Sequence, residues 1–180
     1  MQRKRSYNDE FELPIPKRIK QNGCAIILMG LPGSGKSFLS PKIEDKINNI
    51  LDNDYKYINL NQDNISAYGK YNSIKALSHK CRIINKKLSE IFKSQNNESF
   101  IYDGTGSNKS VYNFIIKNCI RLEYKIYLVY IKSELDLALA RNRTRDRHVN
   151  TDFIINYSSR IEENFQYYIK QNIKYLIIDN

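Results

Sequence analysis

Between a run of six apolar residues, Cys24-Ala25-Ile26-Ile27-Leu28-Met29, and the start of a helical pattern stands Gly30-Leu31-Pro32-Gly33-Ser34-Gly35-Lys36-Ser37. No other segment constrains the chain as strongly. Gly-x-x-x-x-Gly-Lys-Ser with a strand before it and a helix after it has a definite physical purpose. Phosphate oxygens must be met by a row of backbone N–H groups, and Cβ atoms would obstruct that approach, so Gly30, Gly33 and Gly35 leave them out. The helix that begins near Gly35 presents its free N–H groups and positive dipole end to the same anion. Residues Gly30, Leu31, Pro32, Gly33, Ser34, Gly35, Lys36 and Ser37 are therefore expected to cradle ATP. Lys36 should bridge the β- and γ-phosphates, and the Ser37 hydroxyl should ligate Mg²⁺. The motif specifies nucleotide binding and leaves the reaction open, because many functions share it.

The remaining periodicity alternates strands with helices. A helix is expected from about Gly35 to Leu51, a strand at Tyr57–Leu60, and a helix over 73–92 whose apolar face is Ile74, Leu77, Cys81, Ile84, Leu88 and Ile91. A third strand, Ser99–Tyr102, ends at Asp103; a helix over 109–122 leads to a fourth strand over 125–131. Helices near 133–142 and 152–171 precede a last strand, Tyr175–Ile178. Strands separated by helices of this length imply βαβ units. The expected class is α/β, a P-loop NTPase fold with about five parallel strands, helices on both faces and an arginine-rich lid. The 180 residues hold one such domain, 23–180, behind a basic arm, 1–22, marked by Pro14 and Pro16.

Charge adds a preference for partners. The net charge is +10, and removing the arm still leaves +7 on the remainder. A basic body favours polyanions, nucleotides first and nucleic acid after them, although a composition rich in Lys, Asn, Ile and Tyr produces the same excess. Arg3-Lys4-Arg5 and Lys17-Arg18-Ile19-Lys20 have the spacing of a bipartite nuclear address, with nucleic-acid binding as the rival use. No apolar run approaches the roughly 18 residues that span a bilayer. Three distant cysteines, Cys24, Cys81 and Cys119, suit a reducing, intracellular compartment, cytoplasmic or nuclear.

In an open parallel sheet the ligand crevice lies at the carboxyl ends of the strands. Asp63 follows the second strand in Asn59-Leu60-Asn61-Gln62-Asp63-Asn64-Ile65, and Asp103 closes the third in Asp103-Gly104-Thr105-Gly106-Ser107-Asn108. Transfer of a phosphoryl group to a hydroxyl needs a carboxylate for the hydroxyl proton and acidic support for the metal. Asp63 is the candidate base and Asp103 the candidate metal ligand, with turn or helix-cap roles as the alternatives. The small polar run after Asp103 suggests backbone approach to a ligand, and Thr105 and Asn108 within it are candidate substrate contacts. The densest cluster is Arg141-Asn142-Arg143-Thr144-Arg145-Asp146-Arg147-His148. On a helix or lid, Arg141 and Arg145 are i,i+4 neighbours suited to clamping a migrating phosphoryl group; a solvated basic helix end is the alternative.

Together the phosphate loop, the Asn-Gln-Asp-Asn segment, the Asp-Gly-Thr-Gly-Ser-Asn segment and the arginine cluster resemble the zeta-toxin and polynucleotide-kinase group of P-loop kinases, which includes phage polynucleotide kinases and the kinase domain of fungal tRNA ligases. The resemblance implies that Asp63 is the general base, that Asp103 is the acid ending a Walker B-like strand, and that Arg141 and Arg145 form the lid. It implies an acceptor that is a polynucleotide 5′-hydroxyl or, in the zeta branch, a nucleotide sugar. It also implies an Asp-Asn near the adenine, matched by Asp179-Asn180. One position departs: an arginine usual three residues after the base is Ser66 here, which leaves Lys70 or Lys75 to supply the cation. Tyr68, Tyr71 and Tyr112 are candidates for base stacking. The expected activity is ATP- and Mg²⁺-dependent phosphoryl transfer to a hydroxyl. A small-metabolite kinase and a non-catalytic nucleotide- or nucleic-acid-binding module are the alternatives.

Overall fold

The apolar run 24–29 forms the first strand, β1 (Cys24–Met29), and all six of its side chains are buried, as expected for a strand covered on both faces. The computed structural model describes residues 22–65, 74–94, 96–145 and 148–180. The expected arm lies, apart from Asn22, outside the described residues. After β1 come α1 (Lys36–Leu51), β2 (Tyr57–Asn61), a single 3-10 turn (Gln62–Asn64), α2 (Ile74–Lys93), β3 (Ser99–Asp103) and α3 (Lys109–Arg121). They are followed by β4 (Lys125–Lys132), α4 (Leu135–Arg143), α5 (Thr151–Ile169) and β5 (Lys174–Asp179). Every strand pairing is parallel, in the order β2-β3-β1-β4-β5. Consecutive strands thus lie on both sides of β1, and the chain reverses direction across the sheet at the loop that leaves it.

Alternation along β1 splits the core in two. Ala25, Ile27 and Met29 pack with Leu88 of α2, Ile115 of α3 and Phe165 of α5, while Cys24, Ile26 and Leu28 pack with Ile43 and Ile47 of α1. Each fully buried Ile or Leu of this strand contributes about 1.5–3 kcal/mol. Removing Cβ-bearing choices matters at the loop itself. Gly33 and Gly35 have φ of 87° and 89°, and a Cβ on Gly33 would strike the Ala138 carbonyl of α4.

Two sequence expectations change here. Tyr112 is only 2% exposed, and its hydroxyl donates to the Leu28 carbonyl (2.7 Å), so it braces β1 and offers no face to a base. Tyr68 and Tyr71 lie outside the described residues. On α2, Ile84, Leu88 and Ile91 are buried as expected, but the residue completing their line toward the start of the helix is Lys80, whereas Cys81 is only half-buried.

Candidate active site

The phosphate loop is held from three sides. Gly30 N donates to the Thr105 carbonyl (3.0 Å), which ties the loop to the segment leaving β3. The Ala138 carbonyl of α4 rests where a Gly33 side chain would be. The Asn180 side chain donates to the Ser34 carbonyl (2.8 Å), and its backbone N–H continues the sheet to Lys132 (3.0 Å). Asn180, expected near the adenine, thus braces the loop. Gly35 caps α1 in the left-handed conformation, so the free N–H groups of the first turn point into the loop.

Within this frame Lys36 is buried. Its ammonium donates to the carbonyls of Gly30 and Leu31, both at 2.8 Å, and lies 3.5 Å from the Ser34 hydroxyl. The cation is therefore held at the mouth of the loop by groups that a phosphate can replace. Ser37 and Asp103 lie side by side: the serine hydroxyl donates to Asp103 Oδ2 at 2.7 Å. Asn61 completes the cluster, its amide donating to the same Oδ2 (2.7 Å) and to the Ser37 hydroxyl (3.1 Å). Its position follows from register, since Asn61 of β2 stands opposite Asp103 of β3. A hydroxyl and a carboxylate at the end of the central strands are hard oxygen donors of the kind Mg²⁺ takes, so the residues fit the expected metal. Asn61 is the site residue that the motifs leave unassigned; its signal is an amide that ends β2 just before the Gln62–Asn64 turn.

The Asp63 backbone lies in the 3-10 turn directly after β2, at the carboxyl edge of the sheet. The side chains of Asp63 and Lys75, and the whole of Ser66 and Lys70, lie outside the described residues. The turn rests on α2 through a Gln62 amide that donates to Cys81 Sγ at 3.3 Å. Burial first, then the nearby Cys81 and Asp103, pushes the Tyr102 phenol up to about 12, so it remains neutral beside the cluster.

The helix expected near 133–142 ends, as α4, at Arg143, inside the arginine segment. α4 ends at Arg143, so Arg145 is not on the same helix as Arg141, and the i,i+4 geometry expected for the pair is replaced by a turn. The physical cause is Asn142. Its buried side chain donates to the Val149 carbonyl (2.7 Å) and accepts from the Val149 N–H (3.0 Å), which ties the end of α4 to Val149. His148 Nδ1 lies 2.8 Å from the Asn142 carbonyl, and Asn150 caps α5 through the Asp152 N–H (2.8 Å). Arg141 is half-buried, and its Nη1 is buried with no hydrogen-bond partner among the described residues. A buried guanidinium nitrogen without a partner is costly, and an anion in the loop beneath α4 would satisfy it. Arg143 and Arg145 are exposed, and Arg147 lies outside the described residues.

Of the two candidate substrate contacts, Thr105 bonds the Ser107 hydroxyl (2.9 Å) beside the loop, and Asn108 caps α3 by accepting from Ser110 N (3.1 Å) and Val111 N (3.4 Å). The Asn142 tether has a measurable consequence. Asn142→Ala removes two buried bonds and is expected to cost about 2 kcal/mol of stability by chemical unfolding. It should also raise the KM for ATP several-fold and loosen the link between α4 and Val149, read as faster limited proteolysis.

Comparison with known proteins agrees with this architecture. Residues 24–173 match the family described as chromatin associated protein KTI12. Among curated protein sequences none matches. A chain of the PezAT chromosomal toxin–antitoxin system of Streptococcus pneumoniae is similar in structure with a TM-score of 0.68 at 16% identity, over 89% of this chain and 68% of that one. A chain of the AvrRxo1-ORF1:AvrRxo1-ORF2 complex, solved with sulphate ions, gives 0.64 at 13% identity over 88% of this chain, which spans 55% of that chain's length. Shikimate kinase from Bacteroides thetaiotaomicron gives 0.51 at 19% identity, over 87% and 86% of the two chains. The fold is shared with these three chains, shikimate kinase among them, and is the P-loop fold that the motifs imply. No described helix is long and apolar enough to cross a membrane.

Proposed function

The chain belongs to the family of chromatin associated protein KTI12, and from that premise and its assembled phosphate loop we propose an ATP- and Mg²⁺-dependent phosphotransferase that moves the γ-phosphate to a hydroxyl, the acceptor being the 5′-hydroxyl of a polynucleotide. The observation that carries this reading is the Ser37–Asp103–Asn61 cluster set beside a loop whose lysine is already in place. Lys36 exchanges its loop carbonyls for the β- and γ-phosphate oxygens. Asp63, at the end of β2, accepts the proton of the incoming hydroxyl. Arg141, with a buried nitrogen to satisfy, and Arg145 meet the charge that gathers on the transferred group. Mg²⁺ held by Ser37 and Asp103 would neutralise phosphate oxygens.

The basic body supports a polyanionic acceptor. The family's description as chromatin-associated supports a nuclear site and, with it, use of the two basic clusters in residues 3–20 as an address. The same description favours a second reading, in which the chain binds nucleotide and nucleic acid without transferring phosphate.

One experiment separates these readings. Purified protein is incubated with γ-labelled ATP and Mg²⁺ and offered 5′-hydroxyl DNA and RNA oligonucleotides, nucleosides and nucleotide sugars. Label on the oligonucleotide 5′ end is the expected result. Label on a nucleoside or nucleotide sugar would make the enzyme a small-metabolite kinase, and ATP binding with no labelled product would make it a binding module. Oligonucleotide affinity should fall steeply with added salt as phosphate contacts are screened; a flat response contradicts a polynucleotide acceptor.

A further inference from the structure

The last residue of β2 brings an amide into the site. Side chains alternate along the strand, so Leu60 joins the core beneath α2 and α3, while Tyr57 and Asn61 take the opposite face, where α1 packs. Asn61 is 8% exposed, and an amide so buried needs partners. Its Nδ2 donates to Asp103 Oδ2 at 2.7 Å and to the Ser37 hydroxyl at 3.1 Å. The nitrogen belongs there on chemical grounds, because an amide oxygen in its place would stand against a carboxylate oxygen and repel it.

This donor decides where the serine proton goes. A hydroxyl has one proton and two lone pairs, an ionised carboxylate only accepts, and an amide NH₂ only donates. By accepting from Asn61, Ser37 uses one lone pair, and its proton goes to Asp103 Oδ2, 2.7 Å away. One lone pair remains on a residue exposed beside the loop, and among the described residues the Ser37 hydroxyl makes no further hydrogen bond. A hard cation takes such an oxygen. The neutrality of the amide matters too. A lysine here would compete with the cation, and a second carboxylate would repel Asp103.

We infer that Asn61 is a positioning residue of the Mg²⁺ site, which commits the Ser37 proton to Asp103 and leaves a serine lone pair available to the cation. The inference rests on the Mg²⁺ part of the proposed reading and not on phosphate transfer. β2 thus serves metal binding from outside both the phosphate motif and the acid that ends β3. Groups that orient a metal's ligands, without touching the metal, change its affinity by about 10–100-fold.

The test is the nucleotide affinity of the full chain, measured with a fluorescent ATP analogue in Mg²⁺ and again in EDTA. The ratio of the two dissociation constants isolates the share of the metal, and neither measurement requires turnover. The wild type is expected to bind more tightly in Mg²⁺. Asn61→Leu should remove most of that advantage and leave affinity in EDTA unchanged; Asn61→Ala takes its place if the Leu variant does not fold. Ser37→Ala should cause the same loss, and the double variant no more than either alone, because Asn61 acts through the serine hydroxyl. Equal weakening in Mg²⁺ and EDTA would make Asn61 a structural brace, an unchanged ratio would remove it from the site, and additive losses would break its link to Ser37. Each of these overturns the inference, as does a wild type whose affinity ignores Mg²⁺. Transfer is read separately with labelled ATP. If no acceptor is labelled while the ratio behaves as expected, the phosphotransfer reading falls and the role of Asn61 stands; if acceptors are labelled and the ratio does not move, the reverse holds.

Discussion

Replacing Lys36 with methionine is expected to reduce turnover by roughly 10³-fold and to weaken ATP binding, while the fold survives. The ammonium is the cation aimed into the loop, 2.8 Å from the Gly30 and Leu31 carbonyls. In the proposed transfer it would meet phosphate oxygens whose charge grows on the way to the transition state. Removing one preorganised donor of this kind costs about 10²–10³ in rate, and a full charge aimed at a phosphoryl group lies at the upper end. Stability should change little, by less than about 1.5 kcal/mol, because the lost bonds to two carbonyls are offset by the relief of desolvating a buried ammonium. Turnover measured with labelled ATP, and nucleotide affinity measured with a fluorescent analogue, would check this. A variant with near-normal turnover would show that the loop does not hold the reacting phosphates.

Asp63→Asn is expected to have a comparable effect on the rate and almost none on nucleotide affinity. The substitution keeps size and hydrogen-bonding capacity but removes the basic oxygen proposed to receive the hydroxyl proton. General-base contributions of this type amount to about 10²–10⁴-fold, so kcat should fall by that factor while the KM for ATP stays within about threefold. The contrast with Lys36→Met is the informative part. One variant loses binding and chemistry together, and the other loses chemistry alone. Transfer that survives Asp63→Asn, measured where the variant remains folded, would remove the residue from the mechanism and leave the loop assignment untouched.

The site depends on side chains whose partners are remote in sequence. Ser37 meets Asp103 across 66 positions, and Asn180 reaches the loop carbonyl of Ser34 across 146. Asn61 joins them because parallel register sets β2 against β3 with Asn61 opposite Asp103. Arg141 and Arg145 separate because α4 ends at Arg143, close to the expected 142, and Asn142 ties that end to Val149. Tyr112 turns inward because its helix packs on β1 and its hydroxyl finds the Leu28 carbonyl.

Local chemistry was enough for the class and for the phosphate loop. Alternating apolar runs and helical spacing specify five parallel strands with helices between them, and the phosphate motif needs only its own glycines, a lysine, a serine and the strand and helix that flank them. These are short-range properties, legible in the order of residues. The inward lysine of α2, the amide beside Ser37 and Asp103, the brace at Asn180 and the tie from Asn142 to Val149 came from packing and register. They depend on which helix face meets the sheet and which strand lies beside which, and those choices are settled by the free energy of the whole core, to which no single segment holds the key.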